Sequence, residues 1–218
     1  MRSIIIAAIL ATALLVVLDN FFDLLYDYDF YKDEFKKNNV SLRFHGQEEN
    51  ITIQLIGYFR GEQLETDFFN EKEKLHLADV KELISKARVL YYLLILAVIF
   101  FYGVIMFHFR DNSLEKTGVI LVFSGTAVLA FLALICIAAL NFEESFVKFH
   151  EVLFRNDLWL LDPKTDNLIV MFPEEFFLDF TTSLIKKAAV SSLLLIGIGG
   201  AFIYHKKYIK IHINKKDM

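Results

Sequence analysis

The sequence predicts a mainly all-α, polytopic membrane protein with four transmembrane helices and a helical extracytoplasmic head. Hydrophobic residues make up 56% of the 218 residues, although the chain also carries 23 basic and 27 acidic side chains. A soluble domain intersperses its charges, whereas a bilayer takes up apolar segments and leaves charged segments in water. Here the charges lie outside four apolar runs, which are residues 3–18, 89–107, 118–140 and 188–204.

Each run is long enough, or nearly so, to cross the hydrocarbon core, which takes about 20 residues of α-helix. The first is slightly short, but residues 20–22 can extend it. It also resembles a signal peptide that starts at Arg2. Because apolar sequence continues beyond residues 11–13, we interpret it as an uncleaved anchor. The predicted transmembrane helices are residues 1–21, 88–109, 118–141 and 186–205.

Basic residues near the ends of these helices predict the orientation. The loop 110–117 and the tail 206–218 are short and basic, whereas segments 22–87 and 142–185 hold about twice as many acidic as basic residues. We therefore expect both termini in the cytoplasm and the two acidic segments outside. The lysine pair 186–187 opposes this rule, but long side chains can extend to the interface.

Composition and motifs exclude several function classes. The net charge of −4 gives no basic surface for a nucleic acid, and the single cysteine, Cys136, allows no disulfide framework. The chain has no GxSxG elbow, Walker loop or Rossmann fingerprint, and His150-Glu151 is only half of a zincin motif. We predict neither a cofactor nor a metal, although a metal site from His76, Asp79, His150 and Glu151 is the alternative.

The first outer segment contains a well-marked helix start. Asn70 can cap a helix, and Glu73 three residues later completes a capping-box pattern. That helix runs towards the second apolar run and places Asp79 one turn from His76. Residues 50–61 fit either a strand or a helix closed by a glycine, and we favour the helix.

The second outer segment repeats this pattern. Asn141 and Glu144 form another possible capping box before an amphipathic helix, which carries His150 at the border of its apolar face. Such a helix can lie in the headgroup plane or pack on its own protein. A loop and turn follow, and Pro173 begins a further short helix.

Only His76 and His150 combine a marked helix, a position near the outer interface and a neighbouring carboxylate (Asp79 and Glu151). Two histidines without a protein nucleophile suit acid–base catalysis of an acyl transfer between groups of one substrate, since imidazole titrates near neutral pH. Proximity within one molecule then lowers much of the barrier. The competing reading is a non-enzymatic sensor or assembly protein whose outer helices bind a partner.

Three stretches resemble a known family. HLADVK (residues 76–81), FHEVLFRNDLWLLDPKTDNLI (149–169) and MFPEEFF (171–177) are similar to the lipoprotein intramolecular transacylases of Gram-positive bacteria. The resemblance implies an enzyme of the bacterial cell membrane that acts on diacylated lipoproteins. It would move the sn-2 acyl chain from the diacylglyceryl group to the α-amino group of the N-terminal cysteine, giving the lyso form.

The resemblance also points to particular residues, and we infer their roles. The family's two histidines match His76 and His150, and we expect His150 to act as the base on the amine. His76, oriented by Asp79, would be the acid or the oxyanion partner. Asn156 and Trp159 match motif positions and either support the site or hold its loop.

Overall fold

The computed structural model describes residues 1–216, with side chains for residues 1–206 and 208, so positions 217 and 218 of the predicted tail lie outside the described residues. This part of the chain is helical and contains no strand, which confirms the all-α prediction. The helices are α1 (Arg2–Leu25), α2 (Tyr28–Lys37), α3 (Val40–Phe44), α4 (Gln47–Arg60), α5 (Glu71–Phe109), α6 (Ser113–Ala139), α7 (Phe142–Leu153), α8 (Asn167–Met171) and α9 (Glu174–Lys216).

Three helical stretches of the described residues are long and apolar enough to cross a membrane. They are Arg2–Leu25, Glu71–Ala139 and Glu174–Lys206. The second stretch contains both α5 and α6, which a 3-10 turn at Arg110–Asn112 joins. The sequence predicted four spans and a loop at 110–117. The structure has a shorter connection, because Leu114, Glu115 and Lys116 are good helix formers and belong to α6.

One compact unit comprises Met1–Asn20, Leu90–Leu134 and the described residues from Ile185 onward. Its helices α6 and α9 approach closely at glycines. A β-carbon added to Gly118 would lie 2.6 Å from the carbonyl oxygen of Gly199, and one added to Gly199 would lie 2.6 Å from that of Gly118. Gly197 has no neighbour within 4 Å of such a carbon. Small residues at these crossings let helix backbones approach, as is common in membrane bundles.

The other compact unit comprises Phe21–Val89 and Ile135–Leu184. Its core is rich in aromatic rings, and the rings of Tyr31 and Phe35 pack against that of Phe176. Ile51 and Leu55 of α4 are also buried there. The favoured helix at 50–61 is thus confirmed, and its backbone ends at Gly61 with a φ of 124°, which glycine adopts without strain.

Two helices begin as the sequence predicted, but one continues much further. The main-chain N–H of Glu73 donates to Oδ1 of Asn70 at 3.0 Å, and that of Asn70 donates to Oε2 of Glu73 at 2.6 Å, so the first capping box forms. A helix also starts directly after Pro173. It is α9, which runs without a break to Lys216 and is therefore not the separate short helix that was expected. Polar and apolar residues alike sustain an α-helix, so a change in hydropathy alone does not end one.

Candidate active site

His76 lies in the second turn of α5, where the capping box fixes the start of the helix. Its side chain is 7% exposed, and the next residue, Leu77, belongs to the aromatic core. His76 Nδ1 is buried and has no hydrogen-bond partner among the described residues. Buried polar atoms are almost always paired in folded proteins, so this unpaired nitrogen is a candidate contact for a ligand.

His150 lies in the last turn of α7 and is 8% exposed. Its Nδ1 atom is 2.7 Å from the carbonyl oxygen of Phe146, one turn earlier. A carbonyl oxygen only accepts, so Nδ1 carries the proton and Nε2 of the neutral ring has a free lone pair. The predicted capping box before α7 does not form, because Asn141 Nδ2 donates to Oε2 of Glu144 at 2.7 Å instead of capping the backbone.

The fold brings the two histidines together. Their ring centroids are 6.1 Å apart, with 35° between the ring planes. Phe154 contacts both, at 5.1 Å from His76 and 5.7 Å from His150. Trp159 stacks on His150 at 5.0 Å with an interplanar angle of 28°. The two imidazoles are therefore neighbours inside an aromatic enclosure.

This enclosure lowers the pKa of both histidines. For His76, burial is the main cause and the neighbouring His150 adds to it, whereas Asp79 opposes the shift, and the resulting pKa is about 4. Burial also lowers the pKa of His150, against the opposing effect of the Phe146 carbonyl. Taking a charged group out of water disfavours the imidazolium form, so both rings are neutral at pH 7.

The predicted supporting residues differ in their hydrogen bonds. Asn156 Nδ2 donates to Oδ2 of Asp79 at 2.9 Å, and the main-chain N–H of Leu158 donates to Oδ1 of Asn156 at 3.1 Å. Asn156 thus joins α5 to the loop that carries Trp159. Within the described residues no hydrogen bond links Asp79 to His76. Glu151 is exposed on α7, and the described part of the chain gives it no hydrogen bond or ion pair.

A second connection between α5 and the following loop was not predicted. Glu73 is 1% exposed, and its Oε1 atom accepts the main-chain N–H of Leu168 at 2.5 Å. Nearby, Asn70 Nδ2 donates to Oδ1 of Asp166 at 2.8 Å. The sequence showed Asn70 and Glu73 as helix caps, but each cap also uses its second polar group to hold a distant segment. In the sequence, the only indication of the partner of Asn70 was that Asp166 lies directly before α8.

The described residues do not group metal ligands around the histidines. Over the residues that the structure describes, no cluster of three or more His, Cys, Asp or Glu side chains is arranged to hold a metal ion. The groups that meet here are two neutral imidazoles in an aromatic enclosure. One has a defined tautomer and the other a free, buried nitrogen.

The chain is similar to one family of membrane proteins in both sequence and structure. The family model for the lipoprotein intramolecular transacylase Lit matches residues 1–177. The structure is similar to that of the membrane-integral lipoprotein intramolecular transacylase Lit from Bacillus cereus, with a TM-score of 0.81 and 22% identity over 95% of this chain and 97% of that chain. Variants of that protein with a histidine replaced by arginine or by alanine each give a TM-score of 0.78 at 24% identity, covering 95% of this chain and 93% or 95% of theirs. No curated protein matches the chain in sequence.

Proposed function

The chain belongs to the Lit family of lipoprotein intramolecular transacylases, and from this premise we propose a mechanism that uses His76 and His150. The protein is a membrane-integral transacylase. The proposed substrate is a lipoprotein whose N-terminal cysteine carries a thioether-linked diacylglyceryl group. The single observation that carries the proposal is the pairing of the two buried imidazoles, whose ring centroids are 6.1 Å apart.

The reaction moves one acyl group within one substrate molecule. The α-amino nitrogen attacks the carbonyl carbon of the sn-2 ester and forms a tetrahedral intermediate. A C–N bond is made, the ester C–O bond breaks, and the released glycerol oxygen takes the proton that the amine loses. The products are an amide and a free hydroxyl group in the same molecule. Because ester and amine belong to one substrate, the enzyme gains from proximity and needs only to bend the substrate and transfer a proton.

His150 is the proposed general base. Its Nδ1–H donates to the Phe146 carbonyl, which directs the lone pair of Nε2 towards an incoming amine. Burial lowers the pKa of His150, so the ring is neutral and ready to accept a proton at pH 7. The same imidazolium then returns the proton to the departing glycerol oxygen. A base so positioned contributes about 10²–10⁴-fold to a rate.

His76 is proposed as a hydrogen-bond donor to the oxyanion of the intermediate. The sequence left open whether it acts as an acid or as an oxyanion partner. Its pKa of about 4 favours the second role, because an imidazolium is scarce at pH 7. One ring nitrogen of the neutral form still carries a proton. Donors held in a buried site stabilise developing charge without reorganising, which makes them effective in catalysis.

Mass spectrometry of a reporter lipoprotein tests this assignment. In cells that express the chain, the N-terminal peptide should carry an N-acyl group and a monoacylglyceryl thioether. His76→Ala and His150→Ala should abolish this product while the protein remains in the membrane. His45→Ala is the matched control, because His45 is an exposed histidine of the same unit. A free amine and two intact glycerol esters despite wild-type expression would refute the activity on this substrate.

The proposed topology has four spans and places the histidines outside the cell. The helical stretch Glu71–Ala139 is far longer than one crossing, and its 3-10 turn at Arg110–Asn112 separates two apolar helices. Basic residues around this turn support a cytoplasmic position. In a background without Cys136, a cysteine at Lys164 should react with an impermeant reagent from outside, and one at Asn112 should not. The reverse labelling would overturn the orientation.

A further inference from the structure

The short helix α7 has three distinct faces. His150 and Phe146 form one, which is turned into the protein. Glu144, Lys148 and Glu151 form a second, which is charged and exposed, and Glu144 pairs there with Lys148. These sets follow from the spacing of three and four residues that aligns side chains along a helix.

The third face is apolar and yet uncovered. Phe149, Val152 and Leu153 share it, and they are 56%, 81% and 39% exposed. An isolated exposed apolar residue is ordinary, but three on one side of a helix of 12 residues form a patch that marks an interaction surface. Since His150 lies roughly one quarter turn away, this patch borders the enclosure of the two histidines.

We propose that this face of α7 is embedded in the acyl-chain region of the membrane. The connection between α6 and α7 supports the membrane as the partner of this face. The apolar helix α6 ends at Ala139 and α7 begins at Phe142, so only residues 140 and 141 connect them. Consecutive Cα atoms are about 3.8 Å apart, and α7 therefore begins next to the end of a membrane helix. Ile137 in the last turn of α6 and Leu140 in the connection to α7 are also exposed apolar residues, at 64% and 87%.

A helix with one charged and one apolar exposed face lies along a bilayer surface, with the apolar side among the acyl chains and the charged side in the headgroups or water. For α7 this orientation leaves His150 at the depth where an acyl ester of a membrane lipid begins. The ester of a substrate therefore reaches the histidines sideways from the bilayer, without leaving it. This last step rests on the proposed function, whereas the embedding of α7 does not.

Spin-label accessibility in proteoliposomes tests the embedding. In a Cys136→Ser background, nitroxides are placed at Val152 and Leu153 on the apolar face and at Glu144 and Glu151 on the charged face. The vesicles contain phosphatidylglycerol and phosphatidylethanolamine. Oxygen concentrates among the acyl chains and a neutral nickel chelate stays in water. We expect the ratio of oxygen to nickel accessibility to be several-fold higher at 152 and 153 than at 144 and 151.

Two results would overturn the proposal. Equal ratios at all four positions would mean that the apolar face is in water. Low accessibility to both reagents at 152, with dipolar broadening that disappears when unlabelled protein is added, would mean that a second copy covers the face. Both readouts are independent of catalysis. A chain without transacylase activity on the reporter lipoprotein can therefore still confirm the embedding, and an active chain can refute it.

Discussion

The Nδ1 atom of His150 donates a hydrogen bond to the carbonyl oxygen of Phe146 across one turn of α7, at 2.7 Å. α7 continues to Leu153, so Phe146 lies inside the helix and its carbonyl is not one of the four left unpaired at the C-terminal end. A carbonyl oxygen has two lone pairs and can accept the side-chain N–H in addition to a main-chain donor. The hydrogen bond from His150 selects the tautomer that a general base needs.

The midpoint of the acid limb of the pH–rate profile should lie below pH 6.5. The neutral form of His150 is the reactive base, and burial lowers its pKa from the usual value. Activity is then retained as the pH falls below 6.5, and it is lost as the pH passes through the lower pKa of the folded enzyme. Steady-state rates in detergent between pH 4 and 8, divided by the fraction of substrate whose α-amino group is neutral (pKa about 7.7–8.0), measure this limb. A limb centred above pH 6.5 would contradict the assignment.

Trp159→Leu should move this limb to higher pH. The indole ring covers one side of His150 and keeps water away from it. Its removal hydrates the imidazolium, so the pKa of His150 rises towards 6.5 and the enzyme loses activity earlier on acidification. Phe44→Leu is the control, because it removes a ring contact elsewhere in the same unit. An unchanged limb in Trp159→Leu would show that the indole does not shield the base.

Exchanging the carboxylate and the amide of the Asp79–Asn156 pair should restore the activity that Asn156→Asp alone removes. Asn156→Asp places two carboxylates at a hydrogen-bonding distance, which the structure gives as 2.9 Å between Asn156 Nδ2 and Asp79 Oδ2. A hydrogen bond to a charged group contributes about 1.5–3 kcal/mol, so kcat/KM should fall roughly 10-fold or more. The double variant Asp79→Asn with Asn156→Asp reverses donor and acceptor and should recover most of the rate. Equal losses in the single and double variants would argue that this bond does not position the loop.

Glu73→Gln should destabilise the protein. Both carboxylate oxygens of Glu73 accept main-chain N–H groups, from Asn70 and Leu168. The glutamine amide has one oxygen that can accept an N–H, and its NH2 group would face the second N–H. One buried donor is then unpaired, at a cost of about 1–3 kcal/mol. Thermal unfolding in detergent measures the effect.

Glu71→Gln provides the matched control for this change. Glu71 lies on the same turn of α5, but its side chain is 89% exposed, and its one ion pair among the described residues is with Lys74. Exposed ion pairs contribute little, so the Tm of Glu71→Gln should stay close to that of the wild type. Equal Tm values for the two variants would mean that Glu73 does not hold the two segments together.

Gly199→Leu should disrupt the apolar unit, whereas Gly197→Leu should be tolerated. A β-carbon at Gly199 would meet the backbone oxygen of Gly118 at 2.6 Å, and backbone cannot yield as a flexible side chain does. Gly197 has open space around it. We expect Gly199→Leu to lower the Tm and the yield of folded protein, measured by size-exclusion chromatography in detergent. Comparable behaviour of both variants would contradict the close crossing of α6 and α9.

Local sequence patterns identified the helices and the two histidines. The apolar runs, the capping box at Asn70 and Glu73, and the glycine that ends α4 depend on contacts within a few residues, and they form as expected. The lengths of the helices were less well predicted. The long continuous α9 arose because a helix is sustained by its backbone hydrogen bonds, whatever the polarity of its side chains.

By itself the sequence determined that this protein is a helical membrane protein, and its motifs indicated the family and the histidines that matter. Only the tertiary structure decided how those histidines are paired, because the 6.1 Å between their rings joins residues that are distant in the chain. It also assigned Asp79 to Asn156 and Glu73 to Leu168. A carboxylate has several acceptor sites, and which donors reach them depends on the packing of segments that a local pattern does not describe.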